Sequence, residues 1–278
     1  MPLDTTLCAM TFQGNAINGL QQDAFFFIDD YYQETLGITP IYHCDDAFCV
    51  AVSDGVSQSN VSQFASLQVV KTIKTLWQSY LENPNQSAVI DVAKIYEKIA
   101  TLPKRYYGAS ATLALVYRAF AKDKQMNSSV VIKNIGDSRV YHFSQATQNW
   151  QCLTRDHNLL NQLVDEQAAM KNRQADFSEY NQDDMASPMY ALTDCLTVDS
   201  DLENNPMPAH DSQTLTVSSG DCLLLCTDGV HDLVPCGDWQ GVDKDTDLQD
   251  WLKQLRKQIY ASDGQAYDNA TAILVRFG

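Results

Sequence analysis

Cys222-Leu223-Leu224-Leu225-Cys226-Thr227-Asp228-Gly229 is an apolar run of strand length that ends on an acid followed by glycine. The same arrangement occurs earlier, where Phe48–Val52 leads through Ser53 into Asp54-Gly55. Val130–Ile135 runs into Gly136-Asp137, Asp23 directly precedes Ala24–Ile28, and Asp268 stands just ahead of Ala270–Phe277. An acid at the edge of a buried strand is costly unless it is paired or metal-bound. Glycine beside it lets the backbone approach a ligand or take a positive φ. Any one Asp-Gly after a strand reads most simply as a turn. Acids at several strand ends could instead meet at one end of a sheet, where a hard divalent cation would offset their repulsion. Oxygen-only donors favour Mg2+ or Mn2+ over zinc. On residue chemistry alone, turn and metal site both stay open.

Outward from these runs, further strands are expected at Ala111–Tyr117, Val140–Phe143 and Thr214–Val217, from their alternation and their Val, Phe and Tyr content. Helical spacing marks Asn60–Leu81, with Asn60 as N-cap, and Ser87–Ala100. His157–Ala169 and Thr246–Ala261 are further helix candidates. Strands in neighbouring runs and helices in pairs predict α+β layers over alternating βαβ units. Lys171–Pro208 is polar and proline-containing, and reads as a long excursion of the 171–208 region from a single domain spanning 1–278.

The 278 residues carry 19 Lys+Arg against 35 Asp+Glu, a formal charge of −16, with 45% hydrophobic residues. That composition gives ample core and excludes disorder over most of the chain. Its acidity argues against general nucleic-acid binding. No apolar run approaches the roughly 18 residues of a membrane helix. No signal-peptide pattern opens the sequence, and its eight cysteines form no Cys-x-x-Cys pair. A soluble, reducing, cytoplasmic setting is the expectation.

Taken together and in order, the motifs resemble those of the PPM-type, protein phosphatase 2C-like, metal-dependent Ser/Thr phosphatases, bacterial type. Val52-Ser53-Asp54-Gly55-Val56 resembles that family's Asp-Gly metal motif, and Asn134-Ile135-Gly136-Asp137-Ser138-Arg139 its Gly-Asp-Ser-Arg motif. Leu153-Thr154-Arg155-Asp156-His157 is similar to the stretch that follows in bacterial members, and Gly108-Ala109-Ser110-Ala111-Thr112 fits the small-residue strand entry. Thr227-Asp228-Gly229-Val230-His231-Asp232 resembles the Thr-Asp-Gly-x-x-Asp motif, and Asp268-Asn269-Ala270-Thr271 the closing Asp-Asn-x-Thr.

The resemblance implies a four-layer αββα sandwich, two antiparallel sheets flanked by helix pairs, with a binuclear Mg2+ or Mn2+ centre at one edge. Asp54 would bridge both metals and the Gly55 carbonyl would bind one. Asp228 and Asp268 would complete the protein ligands of the other, and Asp137, with Asp228, would hold a third, weaker metal. Asp23, Gln22 and Asp232 would stand behind the ligands. The excursion falls where the family has its flap. Two such metals, roughly 3.5–4 Å apart, would hold a bridging water able to attack phosphorus in line. A phosphoserine or phosphothreonine protein would be the substrate, and a Ser/Thr kinase the opposing partner.

The chain departs from the pattern in three places. Asn18 stands where the family has an Arg that binds substrate phosphate, and Asn supplies a weaker, uncharged contact. Gln22 stands where animal members have Glu, although bacterial members often have Gln, and Ser57-Gln58 replaces a glycine pair. Asn18 keeps two other readings open: a pseudophosphatase acting as a binding or regulatory module, and a metal-binding protein without hydrolysis. Arg139 reads as structural. His157 and His231 are candidate proton donors, each more simply a structural residue. Asp243-Lys244-Asp245-Thr246-Asp247 has the opening spacing of a calcium loop but Leu248 in place of its glycine, and reads as a solvated helix start.

Overall fold

The computed structural model describes residues 3–14, 19–56, 60–85, 89–120, 128–170, 187–199, 206–261 and 268–278. In chain order the first strands are β1 (Thr5–Phe12), β2 (Ala24–Phe27), β3 (Asp30–Tyr32), β4 (Gly37–Ile38), β5 (Tyr42–Cys44) and β6 (Phe48–Ser53). Helices α1 (Ser62–Glu82) and α2 (Val92–Ala100) follow, then β7 (Ser110–Ala111), β8 (Leu113–Arg118), β9 (Ser129–Ile135), β10 (Arg139–Ser144) and β11 (Asn149–Cys152). The remainder is α3 (Leu159–Met170), β12 (Leu196–Thr197), β13 (Asp211–Thr216), β14 (Cys222–Cys226), α4 (Asp228–His231), α5 (Leu248–Ala261) and β15 (Ala270–Phe277).

Two antiparallel sheets form the middle of the molecule. One runs β11-β10-β14-β15-β1-β4, with β5 also on β1, and the other runs β13-β9-β8-β6-β2-β3. The continuous apolar runs are explained by burial on both faces. In β6, Phe48, Val50 and Val52 point between the sheets, while Cys49 and Ala51 pack against Val69 and Ile73 of α1. In β14, Leu223 and Leu225 point between the sheets and Cys222, Leu224 and Cys226 face Leu252 and Leu255 of α5. The layers are therefore α1 and α2, sheet, sheet, and α5 with the one-turn α4: the expected αββα sandwich.

Some local expectations are corrected. Asn60 does not cap α1; it lies in the preceding turn, and Val61 occupies the cap position without a side-chain bond. Helix α2 starts at Val92, where the Asp91 side chain accepts from the Ala93 N–H at 3.0 Å. Strand β1 was not foreseen, yet it is central to its sheet. Thr5 and Thr11 interrupt its apolar pattern and are both buried.

Register places the motif acids together. Ser53, before Asp54, pairs with Ala24, after Asp23. Cys226, before Asp228, pairs with both Ala272 and Arg139. Thus the ends of β6 and β14 and the starts of β2, β10 and β15 lie at one end of the sandwich.

Candidate metal centre

Asp54, Asp137 and Asp228 line one cavity of about 250 Å3, together with Val56, Gly108, Ser110, Tyr190, Leu192 and Cys195. Each acid is half-buried, while Asp23 behind them is fully buried. Burial first, then the charge of Asp228, Asp23, Asp137 and Asp268, pushes the Asp54 carboxyl well above its ordinary range. Asp228 is raised in the same way, by burial and then by Asp137, Asp232 and Asp268. Burial also lifts Asp23 to about 7 and Asp137 to about 6. Asp268 thus acts electrostatically on Asp54, Asp228 and Asp23, although it is not among the residues lining the cavity.

Hydroxyls and glycines hold the acids in place. Thr112 Oγ1 accepts from the Asp54 N–H at 3.0 Å and lies 2.6 Å from Ser138 Oγ, which ties Asp54 to the Gly136–Arg139 turn. The Thr112 N–H in turn donates to the Asp54 carbonyl at 2.9 Å. Thr227 Oγ1 donates to Asp23 at 2.8 Å and accepts from the Thr271 N–H at 3.1 Å. Asn269 Oδ1 accepts from the Gln22 N–H at 2.7 Å, and Ser66 donates to the Gln22 carbonyl, which sets Asp23 at the head of β2. A Cβ on Gly229 would collide with the Asn269 carbonyl oxygen, so this glycine lets Asp228 and Asp268 approach. One on Gly55 would lie 2.9 Å from the Gln22 and Ser62 backbone.

Two histidines have structural work. Gly136, at φ +86°, donates its N–H to His157 Nδ1 at 3.0 Å, and its carbonyl accepts from the His157 N–H at 3.0 Å. His157 therefore fixes the turn that carries Asp137. His231 lies with Nε2 3.1 Å from the Asp137 carbonyl and Nδ1 2.9 Å from the exposed Asp232 carboxylate. Burial works to raise Asp232, but His231 overrides it and holds that acid below its ordinary range. Arg139 grips Asp156 with Nε at 2.8 Å and Nη2 at 2.5 Å, which is the structural use expected of it.

Among the described residues, no group of three or more His, Cys, Asp or Glu side chains is placed to hold a metal ion as it stands. The acids instead make a shared wall. Its chemistry fits a hard cation: Asp23 Oδ1, Asp137 Oδ1 and Asp228 Oδ1 are buried without a hydrogen-bond partner, and the donors are oxygens.

Residues 29–269 match the family model described as protein phosphatase 2C. The chain belongs to the protein phosphatase 2C family. This phosphatase is 26% identical over 248 residues to the serine/threonine phosphatase stp of Listeria welshimeri, covering 83% of this chain and 85% of that one. The stp of Listeria monocytogenes (strain EGD-e) is 25% identical over the same shares. In fold it is similar to the S. agalactiae serine/threonine phosphatase, with TM-score 0.69 at 17% identity over 99% of this chain and all of that one. The catalytic domain of the phosphatase PstP in complex with two manganese ions gives 0.59 at 16% identity, over 99% of both chains. The phosphatase 2C family is metal-dependent and acts on phosphoproteins, and this chain is a Ser/Thr phosphatase of it; the comparisons do not favour the pseudophosphatase reading.

In this phosphatase Asp54 and Asp228 each lie within electrostatic reach of Asp23, Asp137 and Asp268, and Asp232, exposed beside His231, acts on Asp137 and Asp228 as well. Asn18 and Ser57-Gln58 lie outside the described residues, as do 171–186 and 200–205 of the excursion. Of its described part, Tyr190, Leu192 and Cys195 line the cavity, and β12 pairs with β7. Thr112, Ser138, His157 and Asn269 were not expected as site-holding residues; only their places inside quoted motifs hinted at them. No helix among the described residues is long and apolar enough to cross a membrane.

Proposed function

We propose that residues 1–278 act as one domain that hydrolyses phosphoserine and phosphothreonine in proteins at the cavity bounded by Asp54, Asp137 and Asp228. One observation carries this reading: acids from strand ends far apart in the chain wall one cavity, and buried oxygens of Asp137 and Asp228 lack partners. Asp54, the Gly55 carbonyl, Asp228 and Asp268 would hold two Mg2+ or Mn2+ ions, and Asp137 with Asp228 a third. When bound, such ions would supply a water activated for attack on phosphorus and charge that offsets the phosphoryl oxygens.

The chain's own residues do the positioning. Thr112 and Ser138 fix the Asp54 backbone, and His157 fixes the Asp137 turn. Asp23, held by Thr227, would stand behind the ligands with its carboxyl in electrostatic reach of Asp54. Gln22 sets Asp23 through its backbone, and Asp232 adds charge beside Asp137 and Asp228. Asn18 takes the place of a cationic phosphate ligand. A cytoplasmic setting and an opposing Ser/Thr kinase complete the proposal; eight free cysteines support a reducing compartment.

A manganese-dependent assay on a small aryl phosphate tests it. Hydrolysis should appear with Mn2+ and be lost in Asp54→Ala and Asp228→Ala. Full activity in either variant would refute the assigned chemistry.

A further inference from the structure

The cavity that would receive a phosphorylated side chain has three acids in its lining and, among the described residues, no Lys or Arg. The chain as a whole is at −16, so a phosphoprotein approaches an anionic surface. Close to the cavity, Arg139 and Arg155 are committed to Asp156 and Asp165. Cations without acid partners stand in the segment that leads into its wall. Lys104 and Arg105 are both exposed, and among the described residues neither is ion-paired.

Their position is fixed by the cavity wall itself. Gly108 and Ser110 line the cavity, and Arg105 is three residues before Gly108, so their Cα atoms are at most about 11 Å apart. The turn is pinned on both sides: the Gly108 N–H donates to the Val198 carbonyl at 3.1 Å, and the Ala109 N–H to the Tyr106 carbonyl at 2.9 Å. The Val56 N–H donates to the Ser110 carbonyl at 3.0 Å and the Ser110 N–H to Ser62 Oγ at 3.3 Å, which joins this turn to the start of α1. Arg105 lies 4.7 Å over the Tyr106 ring, and Tyr106 packs at 4.3 Å on Phe64 of α1. Stacking leaves the guanidinium edge free to donate. Phe64 and Tyr107 are 36% and 38% exposed, so the rim offers aromatic surface beside its cations. Val92–Tyr107 as a whole carries four cations, Lys94, Lys98, Lys104 and Arg105, against one acid, Glu97.

We infer that Lys104 and Arg105, set on the Tyr106–Phe64 stack, form a specificity rim that selects phosphoproteins with acidic residues flanking the phosphorylated one. This deepens the proposed function and rests on the cavity being the substrate site. Rim charges govern discrimination and encounter, while the cations that the cavity acids would hold meet the phosphate.

The test compares two fluorescein-labelled peptides of equal length, one flanked by Glu and one by Gln, each carrying a non-hydrolysable phosphonate in place of the phosphothreonine ester, by anisotropy titration. Wild type should bind the Glu peptide more tightly, and 0.5 M NaCl should erase the preference. Lys104→Glu/Arg105→Glu should lower the Glu-to-Gln affinity ratio about tenfold. Both positions are exposed, so the variant should keep the wild-type melting temperature. An equal ratio in wild type and variant, or no preference in wild type, would overturn the inference. Aryl phosphate hydrolysis, measured separately, reports on the proposed function, so binding preference and catalysis stand or fall independently.

Discussion

Thr227 Oγ1 donates a 2.8 Å hydrogen bond to Asp23 Oδ2 across 204 residues of chain. Both residues are buried, and the Thr227 hydroxyl also accepts from the Thr271 N–H, so one oxygen joins the motifs around Asp23, Asp228 and Asp268. Thr227→Val keeps shape and removes this junction. It should destabilise the protein by about 2 kcal/mol, because a buried carboxylate oxygen and a buried N–H lose their partner. Urea unfolding measures it; a change within error of zero would show the junction to be dispensable.

Gly229→Ala should be far more damaging than its sequence setting suggests. The added methyl meets the Asn269 carbonyl, a backbone atom that cannot rotate away. The cost should be about 3 kcal/mol by overpacking. Gly237→Ala meets nothing within 4 Å and should be close to neutral. Thermal melts of the two variants side by side check the contrast.

The acids give the metal-free protein a defined pH dependence. Burial raises Asp23 to about 7 and Asp137 to about 6, against about 3.9 for an unfolded Asp. The folded state then binds these protons more tightly than the unfolded chain. Their contribution to stability is complete below about pH 4 and is lost as pH rises through 6 to 7. In EDTA, wild type should lose on the order of 5 °C in Tm relative to Asp23→Asn between pH 5 and 8. Saturating Mn2+ should restore Tm, since it binds only the folded state. A difference that stays flat with pH contradicts this.

Arg139→Lys should reveal a structural residue. Lysine cannot reproduce the two parallel bonds to Asp156. Stability should fall by about 3 kcal/mol, as for a broken, largely buried pair. The KM for an aryl phosphate should stay at the wild-type value; a large rise in KM would place Arg139 on the phosphate instead.

How far the sequence disclosed this arrangement depended on what kind of signal each part left. Strands β6, β14 and β15 were legible because both of their faces are buried, which makes the run continuous. Strand β1 was not, since Thr5 and Thr11 are polar yet buried, Thr11 with its hydroxyl 3.1 Å from that of Thr271. The acids were legible through their glycines and their order. The residues holding them were not: Thr112 meets Ser138 across 26 residues and Asn269 meets Gln22 across 247, contacts without any local pattern. His157 was visible as a helix-start residue, but its bond to Gly136 depends on a positive φ that only the fold creates.

Asp54, Asp228 and Asp268 are proposed to bind the same set of cations. Isothermal titration of Mn2+ into wild type and into Asp54→Asn, Asp228→Asn and Asp268→Asn tests this most directly. Wild type should bind at least two ions, and each variant should lose one or more of them or bind at least tenfold more weakly. Wild-type stoichiometry and affinity in all three variants would contradict a shared metal centre.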